Sequence, residues 1–450
     1  MNHTGYYLIL FCCLTLSCAA PRVAVQNETQ NPIHHVLCGA VASRQATLSI
    51  QTMGEVSFQL SVREQGSGKM VFSKKIKTSG DPKPIQTILI KGLNPHTPYQ
   101  YFLNGPQEEK WVQGRFQTFP EKSASYKLVF GSCQNTGSES SIFDQIRQEE
   151  ALAFMQIGDL HYENIDQNCQ PRFDSAYHRI FSSQRQAALY QNTPLIYMWD
   201  DHDFGPNNAG ADNPCRSTAV RQYKKYFPHY PMAFDEVQGP ISQSFEIGRV
   251  TYVLADLRSQ KIKPQYSDCD RIQPGSNFGS EKHLDWFFQT LLNAKKKGHI
   301  VAWISSYSWI NAPGGPNYKC AETDNWGGYP EERKRIADFI RKNNIPLFIL
   351  SGDAHMVAMD DGSHSDYATE GGAPIRVFHA AAIDRTGSYK GGPYSEGYST
   401  EEGQYGVIEV KDEGKDQICF SWYAKNKNGK RVSNKEGREI KMYFCMKPEN

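Results

Sequence analysis

Two acidic runs, residues 154–162 and 195–205, are the most informative part of the chain. The first is Phe154-Met-Gln-Ile-Gly-Asp-Leu-His-Tyr162 and the second is Leu195-Ile-Tyr-Met-Trp-Asp-Asp-His-Asp-Phe-Gly205. Each begins with a short apolar stretch and ends at a turn, which is typical of a buried parallel strand. Residues 174–190, between them, have helical spacing and the length of a crossover connection. The polar residues are therefore expected at the carboxyl ends of strands, where open α/β sheets place their sites.

The second run carries three carboxylates and one imidazole at consecutive positions, from Asp200 to Asp203 with His202 among them. Adjacent carboxylates repel one another unless a cation neutralises them, and burying unpaired charge is costly. A solvated acidic loop is the alternative interpretation. We predict a catalytic metal site here.

Two further strand ends carry candidate ligands. Cys133 follows the apolar run 126–131, and Asp353 and His355 follow the run 346–350. Thiolate, imidazole, carboxylate and phenolate together suit iron or zinc, whereas an oxygen-rich position suits calcium, magnesium or manganese. One carboxylate shared between two cations holds them about 3.5–4 Å apart, a spacing that serves phosphoryl transfer.

Two domains are predicted after the N-terminus. Residues 34–119 alternate as short strands and predict a small β-sandwich, to which we assign no chemistry. Its stretch Gly92–Leu103 resembles the corner of fibronectin type III domains, in which a tyrosine, here Tyr99, hydrogen-bonds back across the turn. Residues 126–450 alternate strands with helices, as in an α/β (α+β) domain.

Residues 1–18 are predicted to be a signal peptide of the lipoprotein type. Their apolar core, Tyr6 to Leu16, is too short to span a bilayer. Thr15-Leu-Ser-Cys18 resembles a bacterial lipobox, in which the cysteine is lipidated, although the segment before it has no Lys or Arg. The prediction is an exported protein, periplasmic or at the cell surface and lipid-anchored through Cys18 to a bacterial membrane. An ordinary secreted protein is the alternative.

The composition fits an exported globular protein with large cores. Aromatic residues make up 12% of the 450 residues, and 49 basic against 48 acidic residues give a net charge of +1, so no general attraction to nucleic acid is implied. Eight of the 11 cysteines lie after residue 18, and an exported protein would pair some of them. Cys419 and Cys445 lie on strand-like runs and could pair; the partners of the others stay open.

Five motifs, in order, resemble those of PhoD-like alkaline phosphatases. They are Gly131-Ser-Cys133, Gly158-Asp159-x-x-Tyr162, Trp199-Asp-Asp-His-Asp203 followed by Asn207-Asn208, Ala255-Asp-Leu-Arg258, and Ser351-Gly-Asp-Ala-His355. The match covers about residues 126–410. The resemblance implies a calcineurin-like metallophosphatase sandwich of two β-sheets flanked by helices. It also implies metal-dependent hydrolysis of phosphate monoesters, diesters or both by a metal-bound hydroxide.

The resemblance also implies a set of metal ligands. Iron (Fe³⁺) would be bound by four residues: Cys133, Asp159, Tyr162 and His355. Asp159 would bridge to a second cation, calcium (Ca²⁺) in characterised members, to which Asp201 and Asp353 would add oxygens. Magnesium, manganese or zinc at the second position stays an alternative.

Two catalytic residues follow from the same resemblance. His202 would protonate the leaving alkoxide, and Arg258 would hold a non-bridging phosphate oxygen, the alternative being that Arg258 pairs with Asp256 or another carboxylate. Asp200 is expected to orient His202 or support a ligand. The predicted partner is a phosphate-ester substrate of a monomeric enzyme. A phosphodiesterase acting on phospholipids or polymers and a non-catalytic surface-binding lipoprotein are the rival functions.

Overall fold

Two β-sheets lie face to face in the computed structural model, which describes residue 1 and residues 31–267, 269–311, 320–321 and 323–448. The predicted signal peptide and its Cys18 anchor lie outside these residues. The first sheet has nine strands, in the order β22 (Lys441–Met446), β21 (Ile418–Asn426), β20 (Gln404–Lys411), β8 (Tyr126–Gly131), β9 (Ala153–Ile157), β10 (Leu195–Met198), β1 (Ile33–Gly39), β2 (Gln45–Thr52) and β5 (Ile85–Lys91).

The remaining strands of the described residues form a second large sheet and two smaller sheets. The second sheet has the order β11 (Gln243–Ile247), β12 (Val250–Leu254), β15 (Ile300–Ser305), β16 (Leu347–Ser351), β18 (Arg376–Ala380), β17 (Val357–Asp360) and β19 (Tyr398–Ser399). A four-stranded sheet has the order β4 (Met70–Lys77), β3 (Ser57–Glu64), β6 (Pro98–Asn104) and β7 (Lys110–Gln117), and a hairpin consists of β13 (Gln265–Ser267) and β14 (Asp270–Gln273).

Helices cover the outer faces of the two large sheets. They are α1 (Ile142–Gln148), α2 (Cys169–Ser182), α3 (Gln184–Asn192), α4 (Asp201–Phe204), α5 (Arg216–Tyr226), α6 (Glu281–Lys296) and α7 (Pro330–Lys342), with one 3₁₀ turn at Trp326–Gly328. In α6, the Ser280 side chain caps the amide of His283, and Phe287 packs on Trp303 of β15 with ring centroids 4.8 Å apart. The apolar stripe of this helix thus fixes it to the second sheet.

Aromatic side chains fill the space between the sheets. Phe348 of β16 lies 5.0 Å from Phe420 of β21, and Phe378 of β18 lies 5.1 Å from Trp422, measured between ring centroids. These residues are fully buried and belong to one core that spans both sheets. The two-sheet sandwich flanked by helices is the fold class predicted from the sequence.

The N-terminal strands are more closely joined to the rest than the sequence indicates. β1, β2 and β5 extend the nine-stranded sheet, through a parallel pairing of Gly39 with Leu195, and the four-stranded sheet is formed by the remaining strands of residues 57–117. The backbone amide of Asn94 donates to the hydroxyl of Tyr99 at 2.9 Å, which is the corner contact expected of that tyrosine. The division into domains at 34–119 and 126–450 stays a prediction.

The predicted crossover between the two acidic runs is present, as two helices instead of one. β9 and β10 are parallel, with Phe154 opposite Leu195. Helices α2 and α3 connect them and are separated at Ser183, whose side chain accepts a hydrogen bond from the amide of Gln186 and so starts the second helix. The break leaves the predicted direction of the strands unchanged.

Three disulfides join cysteines of the described chain: Cys169–Cys215, Cys269–Cys320 and Cys419–Cys445. The last is the pair that the sequence favoured. Disulfides are typical of proteins that leave the cytoplasm. Among the described residues, no helix has both the length and the apolar character that crossing a membrane requires.

Candidate metal centre

The candidate ligands meet because two glycines let the strand ends approach closely. Gly158, at the end of β9, has φ +90°, and a Cβ there would lie 2.4 Å from the Cβ of Asp200. A Cβ on Gly352, at the end of β16, would lie 2.4 Å from the carbonyl oxygen of Ile157. Only glycine fits at such contacts, so Gly158 lets two neighbouring strand ends of the first sheet meet, and Gly352 lets the second sheet approach the first at the site.

Three of the residues at the site have a left-handed backbone. The φ angles are 63° at Cys133, 55° at Asp159 and 57° at Asp353. A non-glycine residue in this region costs roughly 1–3 kcal/mol, and such residues cluster at functional sites. The surrounding structure therefore maintains a conformation that the isolated chain would avoid, and all three predicted ligands share it.

The first group of ligands consists of Cys133, Asp159 and His355, each of which offers an atom within 4.8 Å of those of the others. Tyr162 joins this group, since its hydroxyl donates to Asp159 Oδ2 at 2.6 Å and lies 2.9 Å from His355 Nε2. The Nδ1 atom of His355 lies 2.7 Å from the carbonyl oxygen of Thr386, to which it donates as Nδ1–H. This contact leaves Nε2 to act as a ligand.

The oxygen-rich side of the site continues from this first group. Asp159 also forms a group with Asp201 and His202, and Asp201 forms another with Asp200 and Asp353. The amide of Asn208 donates to Asp201 Oδ2 at 2.6 Å and so orients that carboxylate. Asp159 and Asp201 therefore connect the three groups into one continuous site, which brings all six predicted ligands together.

Unpartnered carboxylate oxygens indicate where cations fit. Within the described part of the chain, Asp159 Oδ1 and Asp353 Oδ2 are buried and accept no hydrogen bond. Burial, with Asp201 next, raises the pKa of Asp159 well above its usual range, and burial raises the pKa of Asp353 although Lys390 opposes it. Buried oxygens without donors are stabilised by a metal ion, so the donor set fits the predicted metals.

His202 lies at the more open side of this site. Its ring is 4.1 Å from that of Tyr162, and its Nδ1 lies 2.6 Å from Asn164 Oδ1, to which it donates as Nδ1–H. Burial lowers the pKa of His202, and the charge of Asp201 opposes this shift. The neighbouring Asp203 binds backbone groups instead: its carboxylate accepts hydrogen bonds from the backbone amides of Leu160, His161 and Asp200.

Arg258 is found with carboxylates and not at an open surface. Its side chain is fully buried, and it donates to both oxygens of Asp200, at 2.5 and 2.9 Å, and to Asp324 Oδ1 at 2.8 Å. The alternative that the sequence left open, an ion pair with another carboxylate, is thus present. Asp256, the partner considered there, instead accepts from the Trp199 indole and the Ile241 amide. The predicted contact of Arg258 with a phosphate oxygen stays a prediction.

Three residues near the site were missed from the sequence: Asp324, Lys390 and Lys261. The Lys390 ammonium lies 2.7 Å from Asp353 Oδ1 and 3.2 Å from Asp324 Oδ2. Lys261 is fully buried, 3.9 Å from Asp324, and burial lowers its pKa to about 7. Lys390 immediately precedes Gly391 and Gly392, a glycine pair that indicates a tight turn, whereas Asp324 stands alone in a loop without periodicity.

Comparison with known proteins agrees with this geometry. A family model described as PhoD-like phosphatase matches residues 128–415, which is more than half of the chain and contains every predicted site residue. The chain belongs to the PhoD-like phosphatase family. The family resemblance identified from the five motifs is thus confirmed.

Two relatives extend the comparison beyond the family model. Alkaline phosphatase D of Bacillus subtilis (strain 168) is 22% identical over 307 residues, which cover 59% of this chain and 52% of that protein. The chain thus matches about half the length of this curated relative. A solved structure described as that of PhoD superposes with a TM-score of 0.70 at 17% identity, covering 92% of this chain and 95% of the other. This likeness shows the fold of PhoD-like phosphatases over nearly the whole chain.

Proposed function

We propose that this PhoD-like phosphatase hydrolyses phosphate esters, monoesters or diesters, with two metal cations held between the sheets. The observation that carries the proposal is the continuity of the site. Asp159 belongs to the group with Cys133 and His355 and also to the group with Asp201, and Asp201 in turn belongs to the group made only of carboxylates. A carboxylate in that position is suited to bridge two cations, which serve phosphoryl transfer when bound as a close pair.

The donor types support different metals at the two positions. Cys133, Tyr162 and His355, with Asp159, offer sulfur, phenol and nitrogen, which suit iron. Asp201 and Asp353 add only oxygens, which suit calcium, with magnesium, manganese or zinc as the alternatives. When bound, such cations supply Lewis-acid activation of water and of the phosphoryl oxygens.

His202 is assigned the role of general acid. Its Nδ1–H is held by Asn164 Oδ1, so Nε2 is the atom that exchanges a proton with the leaving oxygen. The adjacent charges of Asp201 and Asp200 favour the protonated imidazole, whereas burial disfavours it. Protonation of the leaving group matters most for alkoxides, which are poor leaving groups in neutral solution.

Arg258 is assigned a positioning role. Its two hydrogen bonds to Asp200 hold the residue beside Asp201, and its bond to Asp324 holds the loop opposite. The guanidinium thus anchors Asp200, whereas the backbone amides of His202 and Asn208 orient Asp201 itself. Export of the protein, its lipid anchor at Cys18 and its monomeric state are part of the proposal; the three disulfides support export.

Hydrolysis of an aryl phosphate after controlled metal removal tests the function. Activity should be present at neutral to alkaline pH, disappear when chelation removes the metals, and return when they are added back. Asp159→Ala should lose both metals, whereas Asp201→Ala should lose mainly the second, because Asp159 is grouped with Cys133 and His355 as well as with Asp201, and Asp201 is not part of the group with Cys133 and His355. Full activity in protein shown by elemental analysis to be free of metal would disprove the mechanism.

A further inference from the structure

Among the described residues, three cationic side chains lie near the carboxylates of the site and a fourth, Arg385, lies over the ring of Tyr162; they differ in how far solvent reaches them. Arg258 and Lys261 are fully buried. Lys390 keeps 33% of its side chain exposed, and Arg385 is also partly exposed. A residue that contacts the substrate needs both an unused donor and access from the open side, so the candidates are Lys390 and Arg385.

Lys390 has such a donor. An ammonium group carries three N–H donors. Among the described residues, two of them are taken up by Asp353 Oδ1 and Asp324 Oδ2. The remaining donor and the exposed third of the side chain are available to an anion on the open side of the site.

The contact between Lys390 and Asp353 is compatible with a bound metal. Lys390 uses only Oδ1 of that carboxylate, whereas the buried Oδ2 has no donor in the described part of the chain. A cation can therefore bind Oδ2 while the ammonium stays on Oδ1. Asp353 would thus hold the cation through one oxygen and the ammonium of Lys390 through the other, and both positive charges would act on an anionic phosphoryl group.

The turn after Lys390 holds this side chain in place. Gly391 and Gly392 have φ angles of 69° and 90°, and a Cβ on Gly391 would lie 2.2 Å from the carbonyl oxygen of Ile310. The chain therefore passes so close to residues 308–310 that only glycine fits. The position of Lys390 at the carboxylates is consequently fixed by backbone packing as well as by charge.

Arg385 is less suited to this role. Its guanidinium lies 4.0 Å above the ring of Tyr162 and donates to Asn135 Oδ1 at 2.8 Å. Tyr162 also has His202 at 4.1 Å from its ring centre. Two groups that both approach a ring centre to about 4 Å must lie on opposite faces. Arg385 is thus separated from the proposed general acid by the tyrosine ring.

We propose that Lys390 binds a non-bridging oxygen of the transferred phosphoryl group and thereby favours phosphate monoesters over diesters. The proposal rests on the proposed phosphatase function and gives Lys390 the phosphate contact that the sequence assigned to Arg258. A monoester carries a dianionic phosphoryl group in neutral to alkaline solution, whereas a diester carries one negative charge. An additional ammonium beside the metals therefore stabilises the monoester more strongly.

The test compares Lys390→Met with Lys263→Met in the metal-loaded full-length protein. Lys263 is a matched control, because it is 36% exposed and pairs with the carboxylate of Asp212 at 3.4 Å, outside the ligand groups. Inorganic phosphate is the probe, measured by calorimetry and as a competitive inhibitor. Lys390→Met should bind phosphate about 10- to 100-fold more weakly, the worth of one charge-assisted hydrogen bond.

Three further readouts separate substrate contact from a structural role. The kcat/KM of Lys390→Met should fall more for an aryl phosphate monoester than for the diester of the same phenol. Metal content should stay that of the wild type, and Lys390→Arg should recover most of the phosphate affinity. Lys263→Met should behave as the wild type throughout. If Lys390→Met does not fold, Lys390→Arg and Lys390→Gln provide the same comparison.

Several results would overturn the inference. Unchanged phosphate affinity in Lys390→Met would do so. Equal losses of kcat/KM for the monoester and the diester, accompanied by loss of metal, would also do so, because Lys390 would then be only a counter-ion of the carboxylates. A loss of phosphate affinity in Arg385→Met but not in Lys390→Met would transfer the role to Arg385. If the wild type binds phosphate but hydrolyses neither ester, the proposed function fails, while calorimetry still decides the contact of Lys390.

Discussion

Replacing Arg258 by methionine distinguishes the role implied by the sequence from the role that the structure supports. Methionine keeps a long side chain but removes the charge. Arg258 makes two hydrogen bonds to Asp200 and one to Asp324, and all three residues are buried. The substitution leaves both carboxylates without this cation in a region that water does not reach.

The magnitude follows from burial. Breaking a buried, hydrogen-bonded ion pair costs about 3–5 kcal/mol, because the remaining charge is uncompensated. The matched control is Glu281→Gln, which removes an exposed ion pair between Glu281 and Arg335, 2.6 Å apart. An exposed pair of this kind contributes about 0–1 kcal/mol. We therefore expect Arg258→Met to lose several times more unfolding free energy than Glu281→Gln.

The assay is urea unfolding of both variants and the wild type, with the disulfides intact, in chelator and then with metals added. Metals should restore part of the stability of Arg258→Met, because cations neutralise the neighbouring carboxylates. If this variant does not fold, Arg258→Lys keeps the charge without the paired bonds and should show an intermediate loss. The counter-ion role would be refuted by two results together. The unfolding free energy of Arg258→Met would lie within about 1 kcal/mol of that of Glu281→Gln, and its phosphate affinity would nevertheless fall more than about tenfold.

Three further predictions concern the ligands, the backbone and pH. Cys133→Ala should lose iron and a charge-transfer absorption in the visible. His202→Ala should keep both and lose about 10²–10⁴-fold in turnover, with a smaller loss for nitrophenyl than for alkyl phosphates. A free, titrating thiol at Cys133 in the metal-loaded active enzyme would contradict the ligand assignment. Gly158→Ala should lower stability by about 1–3 kcal/mol and reduce metal content, because its Cβ would meet the next strand end at 2.4 Å, whereas Gly437→Ala, at φ 77° in open space, should change metal content little. Burial lowers the pKa of His34 to about 4, so the folded state binds fewer protons than the unfolded chain in this pH range. The free energy of unfolding, measured with urea, should therefore fall by roughly 1–2 kcal/mol after solvent screening as the pH is lowered from about 6.5 to 4, and should fall less in His34→Gln.

The ligands that were predictable lie directly after buried strands. A short apolar run followed by a polar turn is a local pattern, and parallel strands end at one edge of a sheet, so Cys133, Asp159 and Asp201 could be placed together without a structure. The break between α2 and α3 also has a signal in the local sequence, because Ser183 and Gln186 have the spacing of a capping pair at the start of a helix.

The features that were missed depend on contacts between distant parts of the chain. β1 joins the nine-stranded sheet through one parallel pairing with β10, and nothing within the alternating pattern of β1 specifies that partner. Asp324 and Lys390 are in loops, where neither periodicity nor length indicates which residues are buried. Only the packing of those loops over the strand ends places the two charges at the site.

Asp200 and Asp201, the two adjacent aspartates of the second acidic run, are contacted by different donors, and this difference decides which of them can bind a cation. Both oxygens of Asp200 accept from Arg258, and one also accepts from the hydroxyl of Ser306 at 2.6 Å. Within the described residues, the oxygens of Asp201 accept hydrogen bonds from two backbone amides alone, those of His202 and Asn208, and the nearest Arg258 nitrogen is 3.8 Å away. Amide donors orient a carboxylate without neutralising it, whereas a guanidinium does both. Asp201 therefore keeps the negative charge that a cation requires, and Asp200 supplies the ion pair that holds it in place.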